Sequence, residues 1–419
     1  MKKKILLHCI AFSPDGVSTA YLYNDIALQF QRSGYEVVVL TTTPHYNALP
    51  ELLKKQPLKP KWTGLYYQSD YEGIKVKHVP QKKFKQSLLR IIGFAYWHVL
   101  AFFIGLFEKG VNVILSPSPP LTIGFINIVL GKLKGCKVIY NVQEIYPDFL
   151  IDQGGLTSKP IISILKSLER LVYNKSDAVT TIDAVFYETI APRFDDKTKL
   201  HVIPNFVDTS LYRPLNRNEL TLDRDLFPEN PYTLKLMYAG NIGHAQDWKP
   251  LIKAAIEIQE LPIEFFIIGE GVMKEYIQDE IKKNNLKNIH LIQYKPREQM
   301  PSLIAYADLQ FIFMSPDMEG HGFPSKVYTI MACAKSLIVC SGENTPIYRF
   351  LDKLDCSYLI SEKNMEEKVQ KIVTVLKTIT KEDLGLKGKS GLQEIIARYS
   401  NHAVTRQYVD LANKLVDNG

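Results

Sequence analysis

The chain runs through a strand–helix–strand rhythm and then starts it again. Lys4-Ile-Leu-Leu-His-Cys-Ile10 reads as an apolar strand. A helix follows, with Ala20, Leu22, Tyr23, Ile26, Ala27 and Phe30 at helical spacing, and Gly34 ends it. Glu36-Val-Val-Val-Leu-Thr41 is the second strand. Two strands joined through a helix lie parallel, with a right-handed crossover. From Leu234 the pattern returns: a strand to Ala239, the loop Gly240-Asn-Ile-Gly-His-Ala-Gln-Asp247, a helix, the strand Glu264-Phe-Phe-Ile-Ile268, then Gly269-Glu-Gly271 and a further helix. Between the halves, residues 213–231 turn polar and rich in charge and proline, which marks a domain boundary. The fold class is therefore α/β, with two βαβ-type units. The expected division is residues 1–207, residues 208–395 and a tail, 396–419. Tyr399, Ala403, Tyr408, Leu411 and Leu415 of the closing segment form one amphipathic face, expected to pack back on the first unit.

Composition narrows the classes. The 419 residues suit two or three domains and are 46% hydrophobic and 23% charged. Cys9, Cys136, Cys333, Cys340 and Cys356 form no CxxC pair, which argues against a structural zinc or a disulfide framework and suits a reducing cytosol. The nine histidines contain no HExxH, so no metal site is expected. The basic, apolar start stops at Ser13-Pro14-Asp15 with no small-residue cleavage site, and reads as a first core strand rather than a signal peptide. The net charge of +7 permits attraction to acidic lipid, phosphorylated substrate or nucleic acid. Nucleic acid is disfavoured by the lack of a basic helix or stacking motif.

Residues 44–80 read as irregular. After them Lys82-Lys-Phe-Lys85 precedes an apolar stretch, and Ile91 to Phe107 carries no formal charge. Three readings stand: a buried or half-buried helix of the first unit, an interfacial helix with the lysines on acidic headgroups, or a membrane span at the lower edge of the needed length. Gly93, His98 and Gly105 weaken the last.

The densest chemistry lies at Glu319-Gly-His-Gly-Phe-Pro-Ser-Lys-Val-Tyr-Thr-Ile-Met-Ala332, behind the apolar run Leu309–Met314. Glycines let backbone amides face an anion, Pro324 and Ser325 suit a helix start, and Lys326 sits at a positive helix end where an anion would be welcome. The whole reads as strand, glycine turn and helix, built to hold a phosphate and something polar attached to it. In an open parallel sheet, ligands bind at the carboxyl edge. Gly16 leaves the first strand there, without a GxGxxG pattern. Glu144 and Asp148, in Gln143-Glu-Ile-Tyr-Pro-Asp148 after the strand Lys137–Val142, are candidate functional carboxylates. The plainer alternatives are a cap for Asp148 and a surface position for Glu144.

These stretches resemble the GT-B glycosyltransferases, in the large retaining family numbered four. Ser13-Pro-Asp-Gly16 resembles its N-terminal loop, Ser33-Gly-Tyr-Glu-Val-Val-Val-Leu-Thr41 its second strand, and Val202-Ile-Pro-Asn-Phe-Val-Asp208 its interdomain motif. Ile267-Ile-Gly-Glu-Gly271 and Ala307-Asp-Leu309 follow in order. Tyr238-Ala-Gly-Asn-Ile-Gly243, Pro324-Ser-Lys-Val-Tyr328 and Val142–Asp148 are similar to the fucosamine-transferase-like branch of O-antigen and capsule synthesis. Two family glutamates are replaced by His321 and Thr329, an Arg/Lys pair by Asn241 and Gln246, and a cleft histidine by the Gln143–Asp148 segment.

The resemblance implies two Rossmann-like domains facing a cleft, a nucleotide diphosphate sugar as donor (UDP-linked, with an N-acetylated deoxy- or aminosugar), no cofactor or metal, and retention of configuration. It assigns Lys326 to the leaving diphosphate and Glu144 or Asp148 to the acceptor hydroxyl. It places Gly16, Gly240, Asn241, Gln246, Glu270, Glu319, His321, Gly322, Phe323, Pro324, Ser325 and Thr329 around the donor. It also implies a lipid-linked glycan acceptor, with the protein cytoplasmic and held peripherally at the inner membrane through Lys82–Phe107. The rivals are a nucleotide-sugar 2-epimerase and a catalytically silent partner in polysaccharide assembly.

Overall fold

The structure is a computed structural model that describes residues 2–45, 50–81, 87–152, 154–316 and 323–417. The chain divides into two units, residues 1–205 with 402–419, and residues 206–401.

The first unit holds strands β1 (Lys4–His8), β2 (Glu36–Thr42), β3 (Lys59–Lys61), β4 (Tyr66–Tyr71), β5 (Ile74–Val79), β6 (Val113–Ser118), β7 (Lys137–Val142), β8 (Ala178–Thr181) and β9 (Leu200–Val202). They form one sheet in the order β3-β4-β5-β2-β1-β6-β7-β8-β9, parallel except where β3, β4 and β5 meet. The antiparallel edge corrects the irregular reading of 44–80. There Glu72 and Gly73 both take positive φ and close a tight hairpin between Tyr71 and Ile74. Ile74, Val76 and Val79 are buried behind it.

The second unit holds β10 (Leu234–Ala239), β11 (Ile263–Ile268), β12 (Ile289–Ile292), β13 (Leu309–Phe313), β14 (Ser336–Cys340) and β15 (Ser357–Ile360), all parallel, in the order β12-β11-β10-β13-β14-β15. Apolar residues cover both faces, as a sheet flanked by helices on both sides requires. Tyr238, Trp248, Phe265 and Ile267 pack on one face, and Met237, Phe266 and Leu303 on the other.

In each sheet the strand order reverses once, between β1 and β6 in the first unit and between β10 and β13 in the second. A crevice opens outside the carboxyl ends at such a reversal.

The chain's last helix, Asn401–Asp417, belongs to the first unit from His402 onward. Val404, Tyr408, Val409, Leu411 and Ala412 are buried, and Lys3 reaches Asp417 at 2.7 Å. Helix Ser87–Phe107 lies over the first sheet, with Trp97, Ala101 and Ile104 in one cluster with Leu6 and Ile114. Among the described residues no helix is long and apolar enough to cross a membrane.

Candidate active site

At the reversal of the second sheet, the loops after β10 and β11 lie backbone to backbone. Gly240 N donates to Ile268 O and Ile242 N to Glu270 O, both at 2.9 Å, so strand-like pairing continues past the sheet edge. Only glycine fits at 269: its φ is +147°, and an added Cβ would stand 1.9 Å from Gly240 O.

Lys326 begins the helix Lys326–Ala332 after β13. Its side chain turns inward, and Nζ stands 3.8 Å from the centre of the Tyr238 ring. Its hydrogen bond goes to the Ala239 carbonyl at 3.4 Å, a long contact. Gly240 makes the room, because a Cβ there would come within 2.6 Å of Nζ. No carboxylate among the described residues pairs with this ammonium. Burial alone pushes its pKa down to about 7. A desolvated cation held on an aromatic face, with no counter-ion among the described residues, is a group for which an anion would be a favourable partner.

The other donor-side expectations separate. Gln246 is buried, and its side-chain oxygen accepts from Phe313 N at 3.1 Å, so its carboxamide braces β13. Asn241 is exposed, and its carbonyl accepts from the Tyr238 hydroxyl at 2.7 Å. Glu270 is exposed and paired with Lys274 at 2.7 Å. The Thr329 hydroxyl donates back to Lys326 O at 2.8 Å. Phe323 stacks on Tyr328 at 5.0 Å, and the Pro324 carbonyl accepts from Val327 N. Ser325 stands at the N-cap, but its hydroxyl makes no capping bond, which corrects the capping role read from sequence. Glu319, His321 and Gly322 lie outside the described residues. Sequence reasoning gave no role to Tyr238, the platform under Lys326. Its signal was an aromatic at the strand end, directly ahead of the glycine loop.

In the first unit, Gly16 is half-buried beside Asp15, whose carboxylate accepts from His45 N at 2.9 Å. The two candidate carboxylates after β7 differ sharply. Asp148 is bonded to Arg193 and lies 3.6 Å from Lys166, while Arg193 also reaches buried Glu169 at 2.5 Å. Glu144 is half-buried, and its carboxylate has no partner among the described residues. Burial raises its pKa above the ordinary carboxylate range.

The backbone carrying Glu144 is pinned on both sides. Ser118 Oγ donates to Glu144 O at 2.9 Å, and the Gln143 amide donates to Asn141 Oδ1 at 2.7 Å. Asn141 is itself saturated: Tyr23 Oη donates to its oxygen, and its nitrogen donates to Thr180 Oγ1 and Tyr408 Oη. A polar carboxylate with a raised pKa and free lone pairs, on a fixed backbone, suits proton transfer from a hydroxyl.

Comparison with known proteins supplies the class of chemistry. Residues 223–390 match the family model "Glycosyl transferases group 1", and residues 19–205 match "Glycosyl transferase 4-like domain". A relative in Escherichia coli, described as a putative colanic acid biosynthesis glycosyl transferase, WcaI, is 21% identical over 82% of this chain and 84% of its own. Among solved structures, a glycosyltransferase from Rickettsia africae superposes with a TM-score of 0.73 at 12% identity, covering 100% of both chains. Anabaena HepE, solved with UDP and glucose, superposes with a TM-score of 0.69 at 12% identity over 98% of this chain and 100% of its own.

Proposed function

A chain built of these two domains is a glycosyltransferase of the GT-B fold, and we propose that it moves a sugar from a nucleotide diphosphate donor to a glycan acceptor in bacterial surface polysaccharide synthesis. The observation that carries the donor half is Lys326, a buried ammonium with an aromatic beneath it and no carboxylate partner among the described residues. As the glycosidic bond to the donor breaks, negative charge grows on the departing diphosphate. A preorganised cation in a dry site stabilises that charge far more than water does. Glu144 is the group that orients the acceptor hydroxyl and takes up its proton, and Asp148 holds the segment in place through Arg193.

On this reading transfer proceeds with retention of configuration and without a metal. The donor is UDP-linked, with an N-acetylated deoxy- or aminosugar; the nucleotide found with Anabaena HepE supports the base. The acceptor is a lipid-linked glycan at the inner membrane face, in keeping with the polysaccharide named for the Escherichia coli relative and with the exposed apolar side of Ser87–Phe107. The matches do not favour an epimerase or a silent partner.

The test is a thermal-shift panel of UDP, GDP, ADP and UDP-N-acetyl sugars, followed by a transfer assay with the donor that binds. Stabilisation by the UDP series and sugar transfer support the reading. Stabilisation by GDP or ADP alone overturns the base. Absence of any shift, with no transfer, removes the assignment of Lys326.

A further inference from the structure

Three helices of the first unit lie side by side on one face of its sheet. Ser87–Phe107 joins β5 to β6, Leu121–Lys134 joins β6 to β7, and Lys159–Lys175 lies between β7 and β8. All three crossovers run the same way across the sheet, so right-handed connections put them on one face. The middle helix is packed tightly from both sides. A Cβ at Gly105 would stand 3.0 Å from Leu130, and one at Gly124 would stand 2.6 Å from Val172.

The outer surface of this layer is rich in exposed apolar side chains, running along the first helix and set among Lys, Arg and Ser on the third. Ten of the twenty exposed large hydrophobics among the described residues sit on these three helices. Ile92, Tyr96, Val99, Phe103 and Phe107 form one stripe at helical spacing, opposite buried Trp97, Ala101 and Ile104. Phe125 and Leu133 continue it on the middle helix. Ile161, Ile164 and Leu171 extend it on the third, where Ile164 is 67% exposed. Apolar patches of this extent on an outer layer mark an interaction surface.

Charge selects the partner. The three helices contain one acidic residue, Glu169, which is buried against Arg193. Among the described side chains, their exposed cations are Lys132, Lys159, Lys166, Arg170 and Lys175, of which Lys166 and Arg170 have acidic neighbours in Asp148 and Asp195. An apolar stripe with a basic margin, on helices that expose no acid of their own, matches the boundary between acyl chains and anionic headgroups.

We infer that this three-helix layer, with Lys159–Lys175 as its second edge, is the surface by which the first unit lies on an anionic bilayer. The inference rests on the membrane contact proposed above and widens it from one helix to three. It also orients the layer, because both outer helices must touch the lipid at once.

The experiment is co-sedimentation of the purified full chain with vesicles of phosphatidylglycerol in phosphatidylcholine, and with phosphatidylcholine alone. The expected parent behaviour is binding to the anionic vesicles. Lys132→Gln/Lys159→Gln/Lys175→Gln should weaken it about 100-fold, at roughly fivefold per cation. Ile164→Ser/Leu171→Ser should weaken it about tenfold. Each variant is checked by its melting curve; the altered side chains are exposed, so unchanged melting is expected. If these two variants bind like the parent while Phe103→Ser/Phe107→Ser does not, the three-helix surface is wrong and a single-helix contact stands. If the parent binds no vesicle, the membrane reading falls with it. If sedimentation velocity shows a dimer that Ile164→Ser/Leu171→Ser splits, the surface belongs to a second copy and the bilayer assignment is overturned.

Discussion

Replacing Lys326 by Met should make the protein more stable and leave it unable to hold its donor. Met keeps the length and the apolar stem but removes the charge. The folded protein holds this ammonium near pKa 7 against an ordinary value of 10.5. At ~1.4 kcal/mol per unit, the protonated side chain costs the fold about 5 kcal/mol. Losing the Tyr238 contact returns about 1–2 kcal/mol of that, so the net gain is about 3 kcal/mol. For a unit of this size that raises Tm by roughly 6–12 °C.

The pH dependence gives the sharper check. Between pH 7 and pH 10 the unfolded chain binds the proton that the folded chain gives up, so parent stability rises with pH across that window. The advantage of Lys326→Met is therefore fully present at and below pH 7 and shrinks towards pH 10. Calorimetric melts of both proteins at pH 6.5, 8 and 9.5 measure it, and a second series with UDP reports binding. A variant no more stable than the parent at pH 7, or a gap that does not change with pH, would refute the argument that this ammonium is desolvated and unpaired.

Glu144→Gln should lower kcat on the order of 10²–10⁴-fold while leaving donor-induced stabilisation intact. In the parent, the acid limb of kcat should lie above the range of an ordinary glutamate, because burial raises this carboxyl and the active carboxylate is lost as pH falls through the raised value. Asp148→Asn should cost about 1–2 kcal/mol of stability through Arg193 yet keep kcat within a few-fold, as denaturant titration and steady-state rates will show. Gly269→Ala drives a methyl into Gly240 O and should destabilise the second unit by about 2–4 kcal/mol, with loss of UDP-induced stabilisation.

The βαβ rhythm was legible because parallel strands buried on both faces leave long Val, Ile and Leu runs, as at Glu36–Thr42 and Ile263–Ile268. The edge hairpin was not, since Lys75, Lys77 and Tyr67 interrupt its apolar run and the turn signal is only Glu72-Gly73. Lys326 was legible as a cation beside a glycine turn. Its partner ring, 88 positions earlier, was not, because contact between β10 and β13 is a matter of strand order and not of spacing. Glu144 and Asp148 looked equivalent in sequence. What separates them is Arg193, brought in from a later turn.

The hydrogen-bond hub at Asn141 bears on the order in which this protein can be made. Its amide nitrogen donates to Tyr408, yet the first unit is interrupted between Asn205 and His402. During synthesis the strands of that unit leave the ribosome first, while Tyr408 follows roughly 10–40 s later at ~5–20 residues per second. Through that interval the nascent first unit lacks its closing helix, and the groove for Val404, Tyr408 and Leu411 stands open. The second unit therefore has every residue it needs before the first does, and the first can complete its packing only after the second has been made.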